Sequence, residues 1–272
     1  MLKKAISISL LSAILVSSAV KAQDDSPYKT SFAVDAPIIA GGIGLSTLGL
    51  SLIKNKDELS VAEVEALDKK DVFFLDRFAA GNYSDNADKV SYYPFFASFA
   101  AAPIMALADK SQRSKFGQVM VLFVETMGIT GASFTLSAGL VQRSRPLVYN
   151  TSIPIEERVD KDAQRSFFAG HTAATAAATF FAAKVFSDFN PDSKAKPYVW
   201  AAAAIIPASV AYLRLQGGKH FLTDNLLGYA IGAGAGILVP QLHKKTNKTP
   251  LSISPAYGYN YKGLHLSYKF KN

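Results

Sequence analysis

Cysteine is absent from the 272 residues. Its absence excludes disulfides, thiolate catalysis and cysteine-ligated zinc. Charge is also scarce: 18% of residues are Asp, Glu, Lys or Arg, against 49% hydrophobic. That balance suits a helical protein with much buried or lipid-facing surface. No basic run is interleaved with aromatic residues, so the footprint of nucleic-acid binding is missing and no nucleic-acid partner is expected. There is no internal repeat.

The N-terminus reads as an export signal. Lys3 and Lys4 make a positive start, Ala5 to Val20 is apolar but short for a membrane span, and Val20 and Ala22 put small residues ahead of Gln23. Residues 1–22 are therefore expected to be a signal peptide. Loss of Lys3, Lys4 and Lys21 with it lowers the formal charge from +8 to +5.

Six apolar segments follow: Phe32 to Ile53, Tyr92 to Ala108, Phe116 to Leu140, Phe167 to Phe186, Tyr198 to Leu213 and Asn225 to Leu242. They are too long for ordinary strands and rich in Ala and Leu, which predicts helices. Pro154, Pro191 and Pro197 punctuate the connections. Ser60 and Glu63 have the spacing of a capping box opening a short helix. Beyond Leu251 the pattern changes to alternation, which predicts a hairpin turning at Tyr261–Gly263. An isolated hairpin is marginal in water, so this one is expected to lie against the helices, a partner or a membrane. The expected organisation is an all-α six-helix domain over residues 23–246 and a short β-hairpin tail over 247–272.

Three short stretches carry the chemistry. The third runs from Arg214 through Gly217, Gly218 and Lys219 to His220 and Asp224. Two glycines permit a sharp turn. His220 and Asp224, four apart, are neighbours on one helical face. A carboxylate there would accept the Nδ1 proton and leave Nε2 free to attack. The second stretch places Gly170 and His171 at the start of an Ala-rich helix, where free N–H groups favour an anion and a histidine is placed to act as general acid. The first adds Arg143 and Arg145 before Pro146, at the polar end of a helix. Guanidinium forks match phosphate geometry. A metal held by His171, His220 and Asp224 would be repelled by these arginines, so none is expected, nor any cofactor. His243 and His265 fall in a basic tail and an alternating strand, with no functional role expected.

The order and spacing of these residues resemble the type 2 phosphatidic acid phosphatase (PAP2) superfamily, which includes bacterial class A acid phosphatases and vanadium haloperoxidases. Arg145-Pro146, Gly170-His171, Arg214, His220 and Asp224 fall in register with its three motifs. The resemblance spans roughly Phe32 to Leu242 and implies a haloperoxidase-like helical bundle. It also implies a metal-independent phosphatase acting on a phosphomonoester or a lipid (pyro)phosphate. His220 would form a phosphohistidine, Asp224 would orient it, and His171 would protonate the leaving group and then activate water. Arg145, Arg214, the Gly170 amide and Arg143 would hold the phosphate oxygens.

The chain departs from that pattern at Ala138, where the family has lysine, and at Ala169, where it has serine. Phe168 and Leu213 replace a proline and a serine. Each lost donor costs about 100- to 1,000-fold in rate, so a slowed enzyme is expected. Arg143, Arg165, Gln142 and Lys219 are candidate replacements. Two alternatives carry the same residues: a vanadium-dependent haloperoxidase, or a catalytically degenerate envelope protein that binds phosphate or lipid headgroups.

The segments are long enough to span a bilayer. An exported N-terminus followed by six spans would put every motif loop on the cytoplasmic side. Asp35 and Pro37 weaken the first segment as a span and Glu125 the third. The expectation is an exported protein of the periplasm or membrane of the bacterial cell envelope, associated with the membrane.

Overall fold

The structure, a computed structural model, describes residues 26–245, 251–258 and 261–268. The expected signal peptide lies outside the described residues. Nine α-helices are found among them: α1 (Phe32–Lys54), α2 (Val61–Glu65), α3 (Asp85–Ala108), α4 (Lys110–Arg113), α5 (Phe116–Leu140), α6 (Ile155–Val159), α7 (Gly170–Phe189), α8 (Lys196–Gln216) and α9 (Leu222–Leu242). The six long ones are the six apolar segments. The largest boundary difference is at α3, which starts seven residues before Tyr92. There Ser84 Oγ accepts the Ala87 amide at 3.2 Å, and Asp85 and Asp88 sit in the first turn. These are local polar devices of a helix start rather than part of the apolar pattern. The box at α2 forms: Glu63 Oε2 accepts the Ser60 amide at 2.8 Å, and Ser60 Oγ accepts the Glu63 amide at 3.2 Å.

Helix α7 is the hub, packing against α3, α5, α8 and α9. Its alanines are why: Ala173, Ala176, Ala177 and Ala183 are buried with no exposure, and small side chains let neighbouring backbones come close. The approach is tightest to α9, where a Cβ at Gly232 would fall 2.0 Å from the Ala173 carbonyl. Gly228 faces Ala169 and Gly236 faces Ala177, so α7 and α9 run parallel. Thr172 Oγ1 bonds Asn225 Oδ1 at 2.7 Å and fixes their register. Helices α1 and α5 also run parallel, with Gly42 against Gly128 and Gly49 against Thr135.

The bundle therefore has two distinct ends. One gathers the C-termini of α1, α5 and α8, the N-termini of α3, α7 and α9, and the connections 55–84 and 141–169. The other gathers the start and finish of the described helical region. There Lys29 N donates to His243 O at 2.8 Å, and Tyr28 Oη donates to Asp188 at 2.7 Å. A core of Tyr28, Ala106, Val119, Leu122, Phe181 and Val185 fills this second end.

Five helices, α1, α3, α5, α8 and α9, are long and apolar enough to cross a membrane, by length and composition. Their outer faces expose Ile43, Leu48, Leu50, Phe96, Ile104, Leu107 and Ile205. Apolar surface of that extent is rare on soluble monomers and supports membrane association. Asp35 and Glu125 do not face outward; both are buried.

Strands β1 (Leu251–Gly258) and β2 (Tyr261–Tyr268) pair antiparallel, Leu251 opposite Tyr268 and Gly258 opposite Tyr261. The expected turn is corrected: Tyr261, Lys262 and Gly263 belong to β2, opposite Gly258, Tyr257 and Ala256. A two-residue connection lets both strands use the whole alternating run; positions 259–260 lie outside the described residues. Leu266 and Tyr268 are exposed.

Candidate active site

All three motif stretches meet at one end of the bundle. The turn from α8 into α9 is sharp because Gly218 adopts φ 68°, and a Cβ there would fall 2.0 Å from the Asn82 carbonyl. Leu147 N donates to Gly218 O at 3.1 Å, joining the first stretch to the third. Ala169 N donates to Asp224 O at 3.1 Å, joining the second.

His220, just before α9, is 2% exposed, and its Nδ1 lies 2.7 Å from the Ser166 carbonyl. A carbonyl only accepts, so Nδ1 carries the proton and Nε2 keeps its lone pair. Burial holds the His220 pKa well below the usual 6.5, and the charges of Arg214 and Arg145 push it the same way. The imidazole is thus neutral at pH 7.

The partner expected for Nδ1 is corrected. Asp224 Oδ2 accepts Ser166 Oγ at 2.6 Å and the Phe221 amide at 2.9 Å, and Oδ1 pairs with Arg143. Asp224 is the third residue of α9, where a carboxylate folds back on the helix's own first free amides. Ser166 then stands between it and the histidine. Asp224 touches the histidine only through Ser166.

Arg143 is corrected too. It does not turn toward the histidines but is clamped between Asp76, at 2.7 Å, and Asp224, with its guanidinium 4.8 Å over the Phe221 ring. It holds the start of α9 rather than a free anion.

Arg145 and Arg214 are brought together with both histidines. Each guanidinium is near enough to act electrostatically on His220 and on His171. The Arg145 Nε is buried without a hydrogen-bond partner, and burial with the neighbouring Arg214 and Arg165 charges lowers its pKa to about 10. It remains a cation at neutral pH. Arg214, 3% exposed, pairs with Asp88, lies 5.7 Å over Tyr92 and also leaves its Nε without a partner. His171 packs its ring on Tyr92 and Phe95, at 5.1 and 4.3 Å between centroids. Gly170 opens α7, where the first N–H groups have no intrahelical acceptor.

Sequence reasoning missed Asp76, Asp88, Ser91, Tyr92, Phe95 and Ser166. Asp88, Ser91, Tyr92 and Phe95 share one face of α3 at three- and four-residue spacing, a signal readable once the helix is started at Ser84. Asp76 carries no such signal. It is fully buried in a loop, accepting Thr223 N at 2.9 Å and Thr223 Oγ1 at 2.5 Å besides Arg143.

The place of the missing family lysine is filled by packing. Ala138 has no exposure, and Lys56 Nζ donates to the Ala138 and Val141 carbonyls at 2.7 Å and to Gln164 O at 3.2 Å. That ammonium caps the end of α5. Of the other candidate replacements, Arg165 acts electrostatically on Arg145, pairs with Asp162 at 2.5 Å, and leaves its buried Nε without a partner. Lys219 reaches Asp88 at 3.3 Å, so Asp88 serves two cations. Beside the site a cleft of about 300 Å³ is lined by Arg145, Lys219, Leu147, Ala163 and the carboxylates of Glu156, Glu157, Asp160 and Asp162.

A lone-pair nitrogen, a second histidine at a helix N-terminus, the buried Arg214 and the half-buried Arg145, each with an unpartnered Nε, are groups suited to attack on an oxyanion. The model of the PAP2 superfamily matches residues 119–248, which bears out the resemblance read from the motifs and supports a phosphatase-like hydrolase. A solved structure of a transmembrane PAP2-type phosphatidylglycerolphosphate phosphatase from Bacillus subtilis is similar at 19% identity. The match covers 73% of this chain and 93% of that one, with a TM-score of 0.45. No curated protein matches the sequence.

Proposed function

We propose that this chain is a phosphatase of the bacterial cell envelope that hydrolyses a phosphomonoester or a lipid (pyro)phosphate through a phosphohistidine. His220 Nε2 attacks phosphorus and the ester P–O bond breaks; His171, whose pKa burial and the Arg214 and Arg145 charges lower to about 3 in the empty site, takes up a proton as the bound phosphate offsets those charges and delivers it to the leaving oxygen. Water then attacks phosphorus while His171 takes its proton, the P–N bond breaks, and His220 is released with inorganic phosphate. Arg145, Arg214 and the Gly170 amide hold the nonbridging oxygens, with Arg165 as the added cation where Ala138 offers none. Asp224 and Arg143 hold Ser166 and the start of α9, and so the attacking ring.

The observation that carries this reading is the His220 tautomer. Its Nδ1 is tied to the Ser166 carbonyl at 2.7 Å, which leaves a neutral, nucleophilic Nε2 beside two guanidiniums. The full chain, purified in detergent, is expected to release phosphate from an aryl phosphate and from a phosphatidate. It is also expected to yield an acid-labile phosphoryl group on quenching. His220→Ala abolishes both. Turnover that survives this substitution overturns the reading.

A second reading, a phosphate or headgroup binder without turnover, is favoured by Ala138 and Ala169, which remove two donors. It predicts saturable phosphate binding by the wild type with no acid-labile phosphate.

A further inference from the structure

The residues that weaken α1 and α5 as plain apolar spans, Asp35 and Glu125, meet each other at the end of the bundle away from the histidines. The third member of the group is His243, which follows α9. His243 Nε2 lies 3.1 Å from Asp35 Oδ1 and 3.5 Å from Glu125 Oε2, and the three ligand atoms all fall within 4.8 Å of one another. All three side chains are shielded, with exposures of 12% for His243, 5% for Asp35 and 3% for Glu125.

The hydrogen bonds around the group aim it inward. His243 Nδ1 donates to the Val239 carbonyl at 2.8 Å, and Nε2 lies within hydrogen-bond distance of Asp35 Oδ1, so a metal ion bound here takes the place of a proton on Nε2. Asp35 uses Oδ2 to accept the Ser31 amide at 2.7 Å and turns Oδ1 toward the imidazole. Glu125 Oε2 is buried without any hydrogen-bond partner. An imidazole nitrogen and two carboxylate oxygens converging in a dry space need a positive species among them, which is either protons on the group or a metal ion. With a neutral imidazole the group carries two negative charges, and isolated buried charge is costly. A divalent ion neutralises it fully; a single proton on His243 does not.

We propose that Asp35, Glu125 and His243 bind one divalent metal ion of the zinc class, which ties α1, α5 and the end of α9 together. Zinc takes imidazole nitrogen and carboxylate oxygen at about 2.0–2.2 Å. Tetrahedral ligands at that radius stand about 3.3–3.5 Å apart, close to the two separations His243 makes. The Val239 carbonyl is the outer partner that orients the ligating ring. Three ligands leave a fourth position for water. The site is structural and distinct from the catalytic end, because α9, 21 residues long, separates His220 from His243 by roughly 30 Å.

The test uses the full chain in detergent, stripped with chelator and titrated with zinc, with magnesium in a parallel arm. Expected are about one tightly bound zinc per chain, a raised thermal midpoint on zinc addition, and no such rise with magnesium. Glu125→Gln and Asp35→Asn, which keep side-chain shape, weaken zinc binding more than about 100-fold. His220→Ala binds zinc as the wild type does, which separates this outcome from failure of the catalytic reading. If the ligand variants fold poorly, cobalt(II) added to the stripped wild type gives the visible absorption of a tetrahedral nitrogen–oxygen site. The proposal is overturned by a wild type that binds no stoichiometric zinc, by variants that bind it equally, or by a cobalt complex with only the spectrum of the aquo ion. A proton bridging His243 and Asp35 would produce the first of these.

Discussion

His220 and Asp224 lie four residues apart, yet they are joined through Ser166 from the preceding loop. Its carbonyl accepts the His220 Nδ1 proton at 2.7 Å, and its hydroxyl donates to the Asp224 carboxylate at 2.6 Å. One residue thus uses its backbone to fix the tautomer of the His220 ring and its side chain to fix its own place.

Ser166→Ala separates those two roles. The carbonyl stays, so attack remains possible, while a buried carboxylate oxygen loses a donor. The expected cost is about 1–3 kcal/mol in stability, with a fall in kcat and little change in KM. Urea unfolding and steady-state kinetics on one preparation check both. A rise in KM at unchanged kcat would place Ser166 among the substrate contacts instead.

Gly218→Ala tests the turn that delivers His220. Its φ of 68° disfavours any side chain, and the added Cβ would stand 2.0 Å from Asn82 O. A shift of the backbone is unavoidable, so destabilisation of more than about 1 kcal/mol is expected, together with a loss of kcat/KM larger than stability explains. Thermal unfolding with and without phosphate measures it. A variant as active and stable as wild type would mean the turn does not constrain the histidine.

The pH dependence follows from burial. His220 is held well below pKa 6.5 when folded, first by desolvation and then by Arg214 and Arg145. Its unfolded form binds protons more readily, so its contribution to stability is complete above about pH 6.5 and is lost as pH falls below that value. Activity has the same sign: the neutral nucleophile persists into mild acid. Removing a neighbouring positive charge, as in Arg145→Met, raises the His220 pKa and moves the acid limb of kcat/KM to higher pH. An NMR titration of the His220 ring reads this directly; a wild-type midpoint at or above 6.5 contradicts it.

Asp88 occupies the guanidinium that the phosphate would need. It pairs with Arg214 and also reaches Lys219 at 3.3 Å. Asp88→Asn is expected to destabilise the phosphate-free protein by about 1–3 kcal/mol and to tighten binding of inorganic phosphate roughly tenfold, a gain of about 1.4 kcal/mol. Isothermal titration decides. Unchanged phosphate affinity would show that Asp88 and the anion do not compete.

Much of this was legible before any coordinates. The six long helices were, because apolar runs and local caps such as Ser60 with Glu63 act within a few residues. The histidines and two of the arginines were, because their spacing is itself the signal. The start of α3 was not, since its polar first turn breaks the apolar run. The fate of Arg143 was not, since a guanidinium near a phosphate site and one held by two carboxylates look alike in sequence. In sequence His243 sits in a basic tail, and only the convergence of α1, α5 and α9 gives it buried partners.

By itself the sequence determined the helices, the order of the candidate catalytic groups and the departures from the PAP2 pattern at Ala138 and Ala169. Those properties rest on backbone propensity, on periodicity and on residue identity, all of which are local. The tertiary structure decided which charges meet: Asp88 with Arg214 across 126 positions, Asp76 with Arg143 across 67, and Asp35 with His243 across 208. Such pairings depend on how closely the helices approach, which here is set by backbone contact between the glycines of α9 and the alanines of α7. No spacing along the chain encodes that distance.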